Sequence, residues 1–275
     1  MQNLDSLLVT GASGMIGKYV DFGIRPSRAE LDITDKNKVF DFIHKMKPSA
    51  VLHLAAKTDM RSCEEDHKEA MRVNALGAEL VGKAAQSVGA RFILLSTNAV
   101  FDGEQPSPYS ETDLPHPLNE YGRSKLAGEH FVQLLSPTSL IVRTGWVFGG
   151  GKEFDKRFVG RIMAQLREPS MTVVSDTRGT PTYAKDLVHT IKGLILSEKT
   201  GIVHVANSGT ASRFEQASLI ADVCRYQGRL IPVSLHDIKS VPPVLKNEAL
   251  VSATLFLRSW QEALTDYLHT EWNFI

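Results

Sequence analysis

The sequence predicts an α/β fold built on a doubly wound parallel sheet, followed by a smaller C-terminal lobe. Two observations predict it. The apolar run Leu7-Leu8-Val9-Thr10 passes straight into a turn with glycines at 11, 14 and 17. Buried-strand patterns then alternate with helical ones as far as Arg143, and strands alternating with helices make a parallel sheet.

The glycine turn comes first. A strand, a glycine turn and a helix start form the context in which backbone N–H groups approach a pyrophosphate closely. Gly11, Ser13, Gly14, Met15, Ile16 and Gly17 are therefore candidates to hold a dinucleotide, in a Rossmann-type arrangement. Only residues 18–29 separate this turn from Glu30-Leu31-Asp32-Ile33, too few for a full helix and a second strand. Phe22-Gly23-Ile24 reads as a stub of that strand. No acidic residue stands at its end; Arg25 and Arg28 do. An arginine pairs with a 2′-phosphate, so the sequence leans towards NADPH, with NADH as the alternative.

Val39 to Met46 has helical spacing and is ended by Pro48; Ala50 to Ala56 reads as a buried strand. Ligands of such sheets bind beyond the carboxyl ends of the strands, which places Leu54, Ala55, Ala56 and Lys57 at the cofactor. His53 reads as a packed core histidine. Arg61 to Ala90 has a helical pattern carrying Asn74, and Arg91 to Ser96 is the next strand. That strand delivers Ser96 and Thr97, whose hydroxyls are expected to bond one reacting oxygen.

Tyr121 and Lys125, four apart, lie on one helix face. An ammonium beside a phenol favours the phenolate, so Lys125 is expected to pull Tyr121 down towards neutral pH, where it can exchange a proton with a carbonyl oxygen. A Tyr-x-x-x-Lys alone is weak evidence. Its position beyond the same sheet edge as the glycine turn gives it weight.

Composition narrows the class. The 275 residues are 43% hydrophobic and 23% charged, with 31 Lys and Arg against 31 Asp and Glu. A net charge of zero without a basic run argues against nucleic acid or membrane surfaces as partners. No apolar run approaches the roughly 20 residues of a membrane helix, and the start lacks a basic-then-apolar signal. Cys63 and Cys224 stand alone without metal spacing, so a reducing cytoplasm and no metal site are expected.

The later segments follow the same reading. Phe154 to Leu166, Ala184 to Leu196, Ser212 to Tyr226 and Ser259 to Thr270 read as helices. Met171 to Val174 reads as a strand, and Gly201 to Ala206 as a strand returning to the main sheet. Pro232, Pro242 and Pro243 mark an extended segment before Asn247-Glu248-Ala249-Leu250.

Motifs in this order resemble a known family. They include Leu31-Asp-Ile-Thr-Asp35, His53-Leu-Ala-Ala-Lys-Thr58, Val73-Asn-Ala-Leu-Gly77, Val100-Phe-Asp-Gly103, Tyr121-Gly-Arg-Ser-Lys125, Arg143-Thr-Gly-Trp-Val-Phe-Gly149 and Gly179-Thr-Pro-Thr-Tyr183. The chain is similar to extended short-chain dehydrogenase/reductases, and within them to the dTDP-4-dehydrorhamnose reductase group, from about residue 6 to 268. The resemblance implies Thr97, Tyr121 and Lys125 as the catalytic set and Asp32 and Ile33 at the adenine. It adds Asn74 and Ser96 to the cofactor set, and Asn98, Val100, Phe101, Trp146 and Arg178 to a nucleotide-sugar site. It also implies a dinucleotide-binding domain over 1–145, joined by 184–206, and a mainly substrate-binding lobe over 146–275. The expected activity is NAD(P)H-dependent reduction of a sugar 4-ketone, with a homodimer allowed.

One departure matters. The group usually has Asp-Tyr after the threonine, and this chain has Asn98-Ala99. The pair cannot supply the acid and base of a sugar dehydratase, which disfavours that activity. A nucleotide-sugar 4-epimerase stays open, as does a non-catalytic NADP-binding subunit resembling the beta subunit of methionine adenosyltransferase.

Overall fold

Five parallel strands, Leu7–Thr10, Ala50–His53, Arg91–Thr97, Leu140–Thr144 and Gly201–His204, lie side by side in that order in the computed structural model, which describes residues 4–238 and 243–274. Pro242 lies outside the described residues. Alternate side chains leave opposite faces of a strand, and both faces here are apolar because helices cover both. Leu7, Val9, Ile93 and Val142 meet Leu187 and Ile191 of the helix Ala184–Leu196. On the other face Leu8, Val51, Leu94 and Ile141 meet Val39 and Ile43 of Lys36–Met46 and Val81 and Ala85 of Gly77–Ser87. A third cluster, with Phe148, Ile162, Tyr183, Ile220, Leu264 and Tyr267, forms the core of the C-terminal part. It packs beside a two-stranded parallel sheet of Ser170–Val174 and Arg229–Val233. The fold is α/β and Rossmann-type.

The first crossover is reduced to one turn. Between the first strand and Ile24 the only helical piece is the 3-10 turn Gly17–Tyr19. Ile24 still sits where the next strand belongs: its N–H donates to Leu7 O at 2.7 Å, and Val9 N–H donates to its carbonyl at 2.8 Å. A tyrosine knot fastens the shortened turn. The Tyr19 phenol donates to Glu271 at 2.7 Å, Tyr183 donates to the same carboxylate, and Gly150 N–H donates to Tyr19.

Two stretches expected as single helices are broken. The pattern from Arg61 to Ala90 resolves into Met60–Glu65, His67–Met71, a π-turn over Arg72–Leu76, and Gly77–Ser87. Asp66 breaks the first from the second, its carboxylate accepting from Glu69 N–H at 2.9 Å as an N-cap. The π-turn carries Asn74, and such turns often mark functional positions. Phe154 to Leu166 breaks at Asp155, whose carboxylate accepts from Arg157 N–H and from Tyr267.

A buried ion pair ties the fourth strand to the helix Glu120–Leu135. Arg143 donates to Glu129 at 2.7 Å with both side chains at most 2% exposed, and Ser96 donates to the same carboxylate. Removing one partner of such a pair leaves a charge buried and uncompensated. Arg143→Met should therefore cost about 3–5 kcal/mol in urea unfolding. The double variant Arg143→Met/Glu129→Leu should recover much of that loss; equal losses would show that the charge itself is not the cause.

Candidate active site

The carboxyl ends of the first three strands and the start of the helix Glu120–Leu135 enclose the site. Asn119 caps that helix by accepting from Gly122 N–H at 2.8 Å. Gly122 lets the helix approach the loop after Thr97, since a Cβ there would lie 2.0 Å from Ala99 O. This contact brings Tyr121 close enough to Thr97 for the Thr97 hydroxyl to act on the phenol.

Tyr121, Lys125 and Glu129 follow one another at four-residue steps along the helix. Lys125 is buried and its Nζ donates to Leu95 O at 2.7 Å. Burial lowers the Lys125 ammonium to about 8, against the upward pull of Glu129. The Tyr121 phenol behaves differently from the expectation. Burial raises it, and the opposing pull comes first from the Thr97 hydroxyl and then from Arg157. Lys125 is turned towards Leu95 O and Glu129, so its charge is not what governs the phenol here.

Ser96 is not a partner of Thr97 at the reacting oxygen. Adjacent strand residues face opposite ways. The Ser96 hydroxyl accordingly donates to Glu129, to which Arg143 also donates, while Thr97 ends the strand at the site.

Beside this trio runs a groove of about 430 Å³. Gly11, Ser13, Gly14, Met15, Ile16 and Gly17 form one wall, Asp32 and Ile33 another, and Leu54, Ala55 and Ala56 the floor. Gly11 packs on the floor where no side chain fits, since a Cβ would lie 2.5 Å from Ala55 N. Asp32 accepts from the Thr34 N–H and hydroxyl, which hold its carboxyl below the usual range. Arg28, Lys156 and Arg157 bring positive charge to the rim. A glycine-walled groove with a basic rim fits a dinucleotide phosphate.

Several expected residues lie elsewhere. Arg25 donates to Val20 O at 2.6 Å and is not among the residues lining the groove; Arg28 is. Asn74 spends its amide on Lys57, accepting from its N–H at 2.7 Å and donating to its carbonyl at 2.9 Å, and also donates to Ser124. It therefore fixes the backbone at Lys57. Val100 and Phe101 are core: Phe101 stacks on Tyr109 with centroids 4.2 Å apart. The Arg178 side chain is exposed and its charge acts on Glu215.

Asn98 and Trp146 do stand at the site, and they bring two residues that sequence reasoning missed. Asn98 donates to the carboxylate of Glu248 at 3.2 Å and to its backbone carbonyl at 2.9 Å. Arg213 lies 3.4 Å above the Trp146 ring. Neither Glu248 nor Arg213 carries a local signature, because each reaches the site from more than a hundred residues downstream of Asn98.

Comparison with known proteins agrees with this architecture. The family model described as the RmlD substrate binding domain matches residues 5–272. A dTDP-4-dehydrorhamnose reductase of Mycobacterium tuberculosis is 34% identical, covering 96% of this chain and 92% of its own length. The spore coat polysaccharide biosynthesis protein SpsK of Bacillus subtilis is 32% identical over 96% of this chain and 97% of its own. Among solved structures, a Yersinia enterocolitica dTDP-4-dehydrorhamnose reductase superimposes with a TM-score of 0.91 at 35% identity, covering 96% and 98% of the two chains. One from Bacillus anthracis, in complex with NADP, gives 0.90 at 32% identity, covering 95% and 98%. Matched over nearly its whole length in sequence and in fold, the chain belongs to the RmlD substrate binding domain family.

Proposed function

We propose that this protein is an NADPH-dependent reductase of the 4-keto group of a nucleotide-linked 6-deoxy sugar, dTDP-4-dehydro-L-rhamnose, in the biosynthesis of sugars for cell-surface polysaccharides. The observation that carries the reading is the meeting of Thr97 and Tyr121, with Lys125 one turn further along the helix, beside a glycine-walled groove. The names of the relatives supply the substrate.

In this reading the dinucleotide lies along Gly11–Gly17 and Ala55–Ala56 and, when bound, supplies hydride. The residues do the rest. Thr97 turns its hydroxyl from the Asn98 amide to the ketone oxygen, donates to it and orients it. Tyr121 gives its phenolic proton to that oxygen as C4 takes up the hydride, so that the C=O becomes CH–OH. The raised phenol suits it to stand protonated before the step. Lys125 then turns from Leu95 O towards the phenolate and the ribose and stabilises the charge left behind. Retention of all three groups favours an enzyme over a non-catalytic NADP-binding subunit. Arg28, on the groove rim, would be the one to pair with a 2′-phosphate, since Arg25 donates to Val20 O.

Tyr121→Phe should reduce turnover of NADPH with dTDP-4-dehydro-L-rhamnose by roughly 10²–10⁴-fold, followed at the nicotinamide absorbance band, with NADPH affinity nearly unchanged. Wild-type-like turnover in that variant would sink the mechanism. Arg28→Ala should narrow the preference for NADPH over NADH, and an unaltered ratio of kcat/KM values would move the phosphate contact elsewhere.

Lys125 also makes a stability prediction. Its folded value of about 8 lies below its ordinary value of 10.5, so between these the unfolded chain binds more protons. Below pH 8 the fold carries the full cost of a buried ammonium, on the order of 3 kcal/mol, and the cost fades as pH rises from 8 to 10.5. Lys125→Met should therefore raise Tm at pH 7 while abolishing turnover, and the gain should shrink towards pH 10.5. A lower Tm at pH 7 would show that the lysine stabilises the fold.

A further inference from the structure

Glu248 has no place in the mechanism above, yet four parts of the chain converge on it. The short strand Asn247–Glu248 pairs in parallel with Arg178–Gly179. Asn247 pins it, donating from its side chain to Gln105 O at 2.8 Å and Ser107 O at 2.9 Å. The next side chain leaves the strand on the opposite face. Glu248 thus turns towards Asn98, which donates to its carboxylate at 3.2 Å. The same Asn98 amide accepts from the Thr97 hydroxyl at 3.1 Å. One amide therefore bridges the catalytic threonine and a carboxylate. The Glu248 charge also acts on the Tyr121 phenol, and it is the one carboxylate among the main influences on that group.

The surroundings are built with care. Trp146 holds a left-handed backbone, φ 45°, which costs a non-glycine residue energy. Gly179 makes room for the indole, since a Cβ there would lie 2.1 Å from the ring. Arg213 is sandwiched between Trp146 and Phe158, at 3.4 and 4.7 Å from the ring centroids; burial raises the Glu248 carboxyl, and the Arg213 charge and the Asn98 hydrogen bond work against that rise. The packed indole and guanidinium hold the wall behind Glu248, and a carboxylate steadied by an amide is the chemistry that accepts O–H bonds from a sugar.

We infer that Glu248 is a specificity-determining residue, whose carboxylate accepts a hydrogen bond from the sugar hydroxyl next to the reacting ketone while Asn98 holds it in register with Thr97. This rests on the reductase reading. It assigns no proton transfer to Glu248.

The test uses the full chain and the isosteric variant Glu248→Gln, which keeps an acceptor for Asn98. Two readouts are needed: steady-state kinetics with NADPH and dTDP-4-dehydro-L-rhamnose, and calorimetric binding of dTDP-L-rhamnose and its 3-deoxy analogue to the protein saturated with NADP⁺. A hydrogen bond to a charged acceptor exceeds one to a neutral acceptor by roughly tenfold in affinity. Glu248→Gln should raise KM by about that factor with little change in kcat, and should largely erase the wild-type preference for rhamnose over the deoxy sugar. Asn98→Asp/Glu248→Gln, which exchanges amide and carboxylate across the same hydrogen bond, should recover most of the lost affinity. Wild-type KM and undiminished discrimination in Glu248→Gln would overturn the inference and leave the reductase standing. Discrimination without wild-type turnover would uphold Glu248 and refute the reductase. No binding of either sugar nucleotide to the wild type would refute both.

Discussion

The buried pair of Arg143 and Glu129 sets the position of everything else at the site. Arg143 comes from the fourth strand, Ser96 from the third, and Glu129 from the helix that carries Tyr121 and Lys125. Ser96 and Arg143 are register partners, so both point at the helix from the same level of the sheet. A charge pair removed from water cannot slide without leaving one member unpaired, and this fixes the helix along its own axis. Glu129 lies one turn beyond Lys125, and Lys125 one turn beyond Tyr121. The anchor, the ammonium and the phenol are therefore one rigid row.

Stability and chemistry pull against each other along that row. The sheet interior lowers the Lys125 ammonium, and Glu129 recovers part of the loss. His53, on the second strand, is held neutral at about 3 by the same burial and by the Lys125 charge. It bonds Thr10 through Nδ1 at 2.8 Å, in keeping with a packed core histidine. The fold thus tolerates a second buried cation besides Arg143 and silences the base that its charge acts on.

The sequence was most legible where structure is local. The glycine turn, the apolar strands and the four-residue spacing of Tyr121 and Lys125 each arise within a few residues, and each was readable. The stub at Ile24 was legible too, because a chain that is too short can be counted. Facing was harder. Ser96 and Thr97 looked like a pair, although alternation along a strand sends them to opposite sides. Asn74 and Arg25 carried the right chemistry but spend it on backbone groups, which depends on loop paths that no spacing encodes. Glu248 and Arg213 were illegible, since their meeting with Asn98 and Trp146 is made by tertiary folding across 150 and 67 residues of chain.

The shortened first crossover carries one more consequence. In the common arrangement a full helix begins at the glycine turn, and its N-terminal dipole attracts phosphate from within the fold. Here only the turn Gly17–Tyr19 remains, and positive charge reaches the groove on the exposed side chains of Arg28, Lys156 and Arg157. Charges on flexible side chains in water are screened within about 8 Å at physiological ionic strength, whereas backbone N–H groups in contact with a ligand are shielded from that effect. The grip of this groove on an anion is accordingly set in large part by the salt around it, and dilute buffer would tighten it.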